Sequence, residues 1–295
     1  MRKQIINFRE ERELGQNINA TFSFIRQNFK LLCKCILFFA APFALLSGIF
    51  NGLYQSRLYQ VLGDDRPYST YGEYTFFNQV TSLNYLVSIF FSVVSFVMMG
   101  LAVYCYMLEY MDNEGEATTE GVWARFKANA IPLLYATIGA VIITTIGLLL
   151  LVIPGIYAAV TLSVFMMVLL REEIGFIEGL ERCLYLIKGN WWSTFFLLFV
   201  IGLIQGIINV VPAIPAFILP FLGALELPGS TNTLISIILV SISSVLGIFI
   251  YSISIIAAAF QYFHLVEVRD GIGLMEQVAL IGQSTTRFEA NEGDY

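Results

Sequence analysis

Apolar residues gather in long runs along the chain, and charged residues fall in blocks between them. The longest run, Ile131 to Leu170, holds forty residues without a charge. As a single α-helix it would be roughly 60 Å long at about 1.5 Å per residue, twice the hydrocarbon thickness of a bilayer of about 30 Å. The run is therefore predicted to fold back on itself, and Pro154-Gly155 in LLLLVIPGIYAAV is the predicted hairpin turn. Proline lacks the N–H that a helix interior needs, and glycine tolerates the backbone angles of a helix stop. Counting runs of about 17 to 25 apolar residues as spans gives six, over about 31–54, 85–109, 131–152, 155–170, 192–211 and 234–263. The predicted fold is all-α, a polytopic transmembrane helical bundle of six spans arranged as three hairpins. A cytoplasmic N-terminal amphipathic segment (1–30) precedes the membrane domain (31–263), and a cytoplasmic tail (264–295) follows it, with its end expected to be disordered.

The segments that enter spans one, three and five share a pattern. FSFIRQN ends at Asn28, WARFKAN at Asn129 and LYLIKGN at Asn190. Aligned on these asparagines, Phe22, Trp123 and Leu184 coincide, then Ile25, Phe126 and Ile187, then Arg26, Lys127 and Lys188. An apolar pair at i, i+3 sinks into a membrane interface, the cation reaches towards lipid phosphates, and asparagine can cap the helix that follows. The pattern reads either as convergence on that common need or as a threefold repeat of interfacial helix and hairpin. The best-developed copy, 171–190, spaces Ile174, Ile177, Leu180, Leu184 and Ile187 at helical intervals. It is predicted to lie in the plane of the membrane, with Glu178, Arg182 and Lys188 as candidate partner-docking residues.

Composition changes the picture from helical to membrane-embedded. Hydrophobic residues make up 57% and charged residues 13%, against about 25% charged in a soluble domain. Of the 16 lysines and arginines, all but Arg57 and Arg66 fall on one side of the six-span topology, so the positive-inside rule places both termini in the cytoplasm of a multi-pass inner-membrane protein. The net charge of -6 says little about partners, because acidic residues share the same loops. No unmixed basic patch remains for nucleic acid. The first apolar run follows a segment with Glu10, Glu11 and Glu13 and lacks a small-residue cleavage site, so it is expected to stay as an anchor.

The order LLLLVIPGIYAAVTLSVFMMVLLREE, then GLERCLYLIKGNWWSTFFLLF, resembles an uncharacterised bacterial membrane family related to the membrane domain of glycerophosphodiester phosphodiesterases. The resemblance covers about 131–206, with Pro154, Gly155, Lys188, Gly189, Asn190 and Trp191 as its markers. It implies a helical membrane bundle and carries over no catalytic residue. Enzymes related to that family act through a separate soluble barrel, for which this chain has no room.

No enzymatic chemistry is expected on independent grounds. The chain has a single histidine, His264, read as an interfacial aromatic, and none of the motifs H-E-x-x-H, G-x-S-x-G or a phosphate-cradling glycine loop. Cys33 and Cys35 would point nearly opposite ways on a helix, so they cannot close on one metal ion; no cofactor is expected. The span centres carry no ionisable relay of the kind a proton-coupled pump needs. Neutral polar residues are present (Asn51, Gln205, Asn209, Gln261, and Ser236, Ser241, Ser243, Ser244, Ser252 and Ser254), for helix packing or for an uncharged solute. Gly48 and Gly52, and Gly202 and Gly206, have G-x-x-x-G spacing for close helix packing. Pro212, Pro215 and Pro220, with Pro228, are predicted to prevent a continuous helix over 211–229 and to form an external interfacial loop or gate. A tyrosine-rich external loop (Tyr59, Tyr68, Tyr71 and Tyr74) is read as part of an aromatic belt. The leading expectation is a non-enzymatic scaffold, assembly or regulatory subunit that meets membrane-complex subunits or a cytoplasmic protein. The alternative is a carrier or channel for a lipid or uncharged solute, and a polar mid-membrane cavity would favour it.

Overall fold

The computed structural model describes residues 6–62, 81–113, 115–225, 232–273, 275 and 278. These residues form helices joined by short breaks: α1 (Leu14–Phe39), α2 (Ala41–Leu62), α3 (Leu83–Asp112), α4 (Thr119–Leu150), α5 (Val152–Leu162), α6 (Phe165–Glu172), α7 (Phe176–Ile187), α8 (Trp191–Ile208), α9 (Val210–Ala224) and α10 (Thr233–Asp270). The fold is an all-α bundle. Five helical segments are long and apolar enough to cross a membrane, and a sixth is reached if the bent pair α1 and α2 counts as one span. The predicted residues Tyr68, Tyr71, Tyr74 and Pro228, and the end of the C-terminal tail, lie outside the described residues.

Side-chain pairings give the topology. Between α1–α2 and α3, Tyr106 donates to Asn28 (3.1 Å), Ser95 to the Ala40 carbonyl (3.1 Å) and Ser47 to the Ser88 carbonyl (3.0 Å). One partner's number rises as the other's falls, so the two legs run antiparallel. The same reversal relates α8–α9 to α10, where Gln261 donates to Thr194 (2.9 Å), Ser254 bonds Gln205, and the Ala216 N–H donates to Ser243 (3.0 Å). Two antiparallel pairs are thus defined, α1–α2 with α3 and α8–α9 with α10, and in chain order α7 lies between α6 and α8.

Burial divides the bundle into two halves. Near the end that carries most of the described charges, Val97 to Tyr110 of α3 and Ile255 to Val266 of α10 are buried almost throughout, together with Phe165 to Leu170 of α6. Phe8, in the extended strap before α1, stacks on Phe260 at 5.2 Å and meets Phe24, Tyr110 and Phe263 edge-on. The strap is pinned where the Arg12 backbone N–H donates to His264 Nδ1 (3.0 Å), so His264 is an internal anchor rather than an interfacial aromatic. Towards the other end Ile142, Leu149 and Phe217 are exposed. In hydrocarbon, exposed apolar side chains of this kind carry no solvation penalty.

Four expectations are corrected. First, the chain reverses at Leu151, whose backbone is extended between α4 and α5, and not at Pro154-Gly155. Pro154 occupies the first turn of α5, where a helix makes no use of the missing N–H. Gly155 serves close approach, since a Cβ there would fall 2.5 Å from Leu148 Cα. Second, the helix expected over 171–190 is shorter. Arg171 and Glu172 end α6, Glu173 is left-handed (φ 52°), and α7 begins after Gly175. Its buried face is Gly179, Cys183, Leu186 and Ile187, while Ile177 and Leu184 point outward. Third, the described part of the 211–229 segment is not held open by its prolines, because α9 runs helically through Pro212, Pro215 and Pro220 to Ala224. Pro212 sits in the first turn, and Ser243 of α10 takes up the Ala216 N–H, as neighbouring helices and serines do for broken membrane helices. Fourth, the three aligned asparagines do not play one role. Asn28 and Asn129 lie inside α1 and α4 and donate to carbonyls one turn back (3.1 and 3.0 Å), and only Asn190 precedes a helix.

Candidate functional site

Five helices put small or neutral polar side chains into one space. On α2, Ser47, Asn51 and Gln55 recur at i, i+4 and i+8 and so share a face; on α3, Ser88, Ser92 and Ser95 share one at i, i+4 and i+7. Ser243, Ser244 and Gly247 come from α10, Asn209, Ala213 and Ala216 from the α8–α9 break and α9, and Thr137 from α4. Together they enclose a cavity of about 700 Å³, within the range of about 300 to 1,000 Å³ of small-molecule sites. Among the described residues, no Asp, Glu, Lys, Arg or His lines it. Along α10 the lining runs from Val240 to Tyr251, roughly 10 to 27 Å from the start of that helix at about 1.5 Å per residue.

Close backbone packing builds the wall. A Cβ at Gly48 would lie 2.5 Å from Ser241 Cα, and one at Gly52 would lie 2.6 Å from Ile237 Cα, so α2 and α10 touch backbone to backbone. This G-x-x-x-G pair therefore works within the chain. The other pair does not: nothing lies within 4 Å of a Cβ at Gly202 or Gly206, and both face outward from α8.

The hydrogen-bonding groups of the lining fall into two sets. Ser47, Ser95, Ser244 (2.9 Å) and Thr137 (2.7 Å) donate to backbone carbonyls, which settles them without a ligand. Asn51 accepts from Gln55 (3.2 Å), but its own amide hydrogens have no partner among the described residues, nor does the Asn209 carboxamide. Both are half-buried at the cavity surface. The cavity thus offers amide and hydroxyl groups of both polarities and no charge. On the far side of α10, a groove of about 440 Å³ between α1, α8–α9 and α10 is almost wholly apolar, with Cys33 and Ser252 its polar exceptions.

The expected docking residues are placed differently. Arg182 lies across two carboxylates, with Nε 2.8 Å from Glu172 and Nη2 against Asp270, and its guanidinium stands 5.4 Å from the Tyr185 ring. Tyr262 of α10 adds a donor to Glu172 (3.0 Å). Burial alone would lower the Arg182 pKa, but the bonds to Asp270 and Glu172 outweigh it and hold it above its ordinary value. Arg182 therefore ties α6, α7 and α10 together. Glu178 accepts the Gly175 N–H (3.0 Å) at the start of α7, a capping role. Lys188 is exposed at the other end of that helix. A second network joins α3, α4 and α6: Arg125 bonds Glu109 (2.9 Å) and Asp112 (2.8 Å), and Arg171 also meets Asp112 (3.2 Å).

Pro212 is buried and Pro215 half-buried in α9, and the cavity is lined by their neighbours, so the proline segment is a cavity wall. Among the described residues, no group of His, Cys, Asp or Glu is arranged to hold a metal ion. Of the polar residues singled out in the sequence, Gln261 and Gln205 are consumed by helix–helix bonds, and Asn17 joins the first of these (2.9 Å). Asn51, Asn209, Ser243 and Ser244 reach the cavity. Ser47, Gln55, Ser88, Ser92 and Ser95 were missed, although their recurrence every third or fourth residue in apolar helices was available as a signal. No known protein family matches the chain, and no curated protein or solved structure is detectably similar to it.

Proposed function

We propose that this is a non-enzymatic, multi-pass inner-membrane protein, with both termini in the cytoplasm, that holds an uncharged hydrogen-bonding ligand within the bilayer as a carrier or channel. The observation that carries this reading is the neutral polar cavity. Leaving amide groups unpaired in an apolar surrounding costs free energy, and at its surface the Asn51 amide hydrogens and the Asn209 carboxamide have no partner among the described residues. A ligand that pairs with them removes that cost. An ion would lose its hydration without gaining a countercharge, which disfavours charged cargo. Two of the five legs that line the cavity are discontinuous: α1 and α2 meet at 55° next to Ala40, and α8 gives way to α9 at Asn209. Broken helices around a midplane site are the architecture on which carriers rock between two open states. A scaffold role draws less support, because Arg182 and Glu178, the residues expected to dock a partner, are bonded within the chain.

The test is charge-selective labelling of Ser92→Cys, a position exposed to the cavity. In vesicles, a neutral methanethiosulfonate reagent should react with this thiol far faster than anionic or cationic reagents of similar size, with the unsubstituted chain as background. Equal rates for neutral and charged reagents, or no reaction with any, would remove the proposal.

A further inference from the structure

We infer that the ligand is a neutral amphiphile taken sideways from the bilayer, its uncharged hydroxyl- or amide-bearing headgroup seated against Asn51 and Asn209 and its apolar chain leaving through the mouth. The inference rests on the cavity being a ligand site, as proposed above, and adds the class of ligand and its route. It comes from how exposure is distributed over the lining. The floor is buried and polar, with Ser47, Ser88 and Ser95 between 3% and 7% exposed. The rim is exposed and mostly apolar: Ile89 43%, Phe96 44%, Val141 45% and Phe217 68%. Phe96 and Tyr251 meet edge-on at 6.4 Å on one side of it.

A mouth opening to water would place this apolar rim against solvent, where it is disfavoured; against lipid chains the same rim is at no disadvantage. The mouth therefore faces hydrocarbon. What enters from hydrocarbon must itself be soluble there, which selects against free sugars and other small hydrophilic solutes. A pure hydrocarbon would leave the Asn51 and Asn209 amides unpaired, and a phosphate headgroup would meet no cation among the lining residues. A molecule with a neutral polar head and an apolar chain satisfies both the floor and the rim.

The experiment uses the full chain in phosphatidylcholine vesicles with a photoactivatable monoacylglycerol carrying a diazirine in its chain. The expected result is crosslinking to peptides that contain Ile89, Phe96 or Val141, with little at those sites from a diazirine-labelled phosphatidylcholine of the same chain. Labelling should fall several-fold in Asn51→Leu/Asn209→Leu. It should also fall in Val141→Trp, which fills the mouth from an exposed position and leaves the floor untouched. Equal labelling of all three proteins, or phosphatidylcholine labelling as strong as monoacylglycerol labelling, overturns the inference. Protection of Ser92→Cys by glycerol but not by monooleoylglycerol also overturns it, while leaving the neutral-ligand reading in place. An unreactive Ser92→Cys removes both.

Discussion

Replacing Gly48 or Gly52 with alanine adds one methyl group where α2 meets α10, and the structure sets the size of the effect. The new carbon would lie 2.5 Å from Ser241 Cα in one case and 2.6 Å from Ile237 Cα in the other, whereas ordinary contact begins near 3.4 Å. The neighbouring atoms are backbone, so no rotamer change relieves the clash, and the two helices must part by about 1 Å. Overpacking of this kind costs about 1 to 3 kcal/mol per site. The two sites press on the same helix one turn apart, so the double substitution should cost less than the sum. Gly202→Ala and Gly206→Ala provide the control, with the same spacing in a position where the added methyl meets nothing within 4 Å. They should be neutral or stabilising by up to about 1 kcal/mol, the helix propensity of alanine over glycine. Reversible unfolding in mixed micelles, followed by circular dichroism, reads the four single variants and the double one. If Gly48→Ala lies within about 0.5 kcal/mol of the unsubstituted protein, or Gly202→Ala costs as much as Gly48→Ala, the helix-packing assignment is wrong.

Other perturbations follow from the same contacts. Arg182→Glu should destabilise by roughly 1 to 3 kcal/mol, a range discounted for a side chain 23% exposed, since it leaves Glu172 and Asp270 facing a third carboxylate; Arg182→Lys should recover only part of the loss because an ammonium lacks the two-pronged geometry. An unaffected Arg182→Glu would mean that α7 is not held by this bridge. Glu178→Ala should cost about 0.5 to 1 kcal/mol through the lost cap of α7, without any change elsewhere in hydrogen exchange. Cys183 is fully buried, and burial, with Glu172 adding, pushes its thiol up to about 12; alkylation at pH 8 should therefore miss it in the native protein and reach it after denaturation, and rapid native labelling would contradict its placement under α7.

Much of the architecture was legible because bilayer-scale apolar runs can hardly be anything but helices. The reversal within 131–170 followed from length alone, but its position did not. Pro154 looks like a stop, yet proline at a helix start loses no hydrogen bond, and the break falls at Leu151, which carries no local signal. Pro212, Pro215 and Pro220 misled for a related reason: Pro212 falls in a first turn, and the Ala216 N–H beside Pro215 is accepted by Ser243 on a helix distant in sequence. The role of Arg182 was hidden in the same way: its partner Asp270 lies 88 positions along the chain, so its charge read as one free to dock a partner. The cavity was half visible. Asn51, Asn209, Ser243 and Ser244 stood out as polar groups in apolar helices, but only the antiparallel register brings them to one space with Ser47, Ser88, Ser92 and Ser95.

The central claim is that the cavity amides serve a ligand and not the fold, and the unfolding free energy of Asn51→Leu/Asn209→Leu, compared with the unsubstituted protein after exhaustive delipidation, tests it most directly. Neither amide hydrogen-bonds another helix among the described residues. The one bond lost is from half-buried Gln55 to Asn51 within α2, where the Gln55 amide can turn to solvent, and removing the unpaired amide groups is itself neutral or stabilising. The account therefore predicts equal or greater stability for the double variant. A loss of more than about 1 kcal/mol, above the average of roughly 0.6 kcal/mol for a hydrogen bond between membrane helices, would show that these residues hold the bundle together and would contradict the claim.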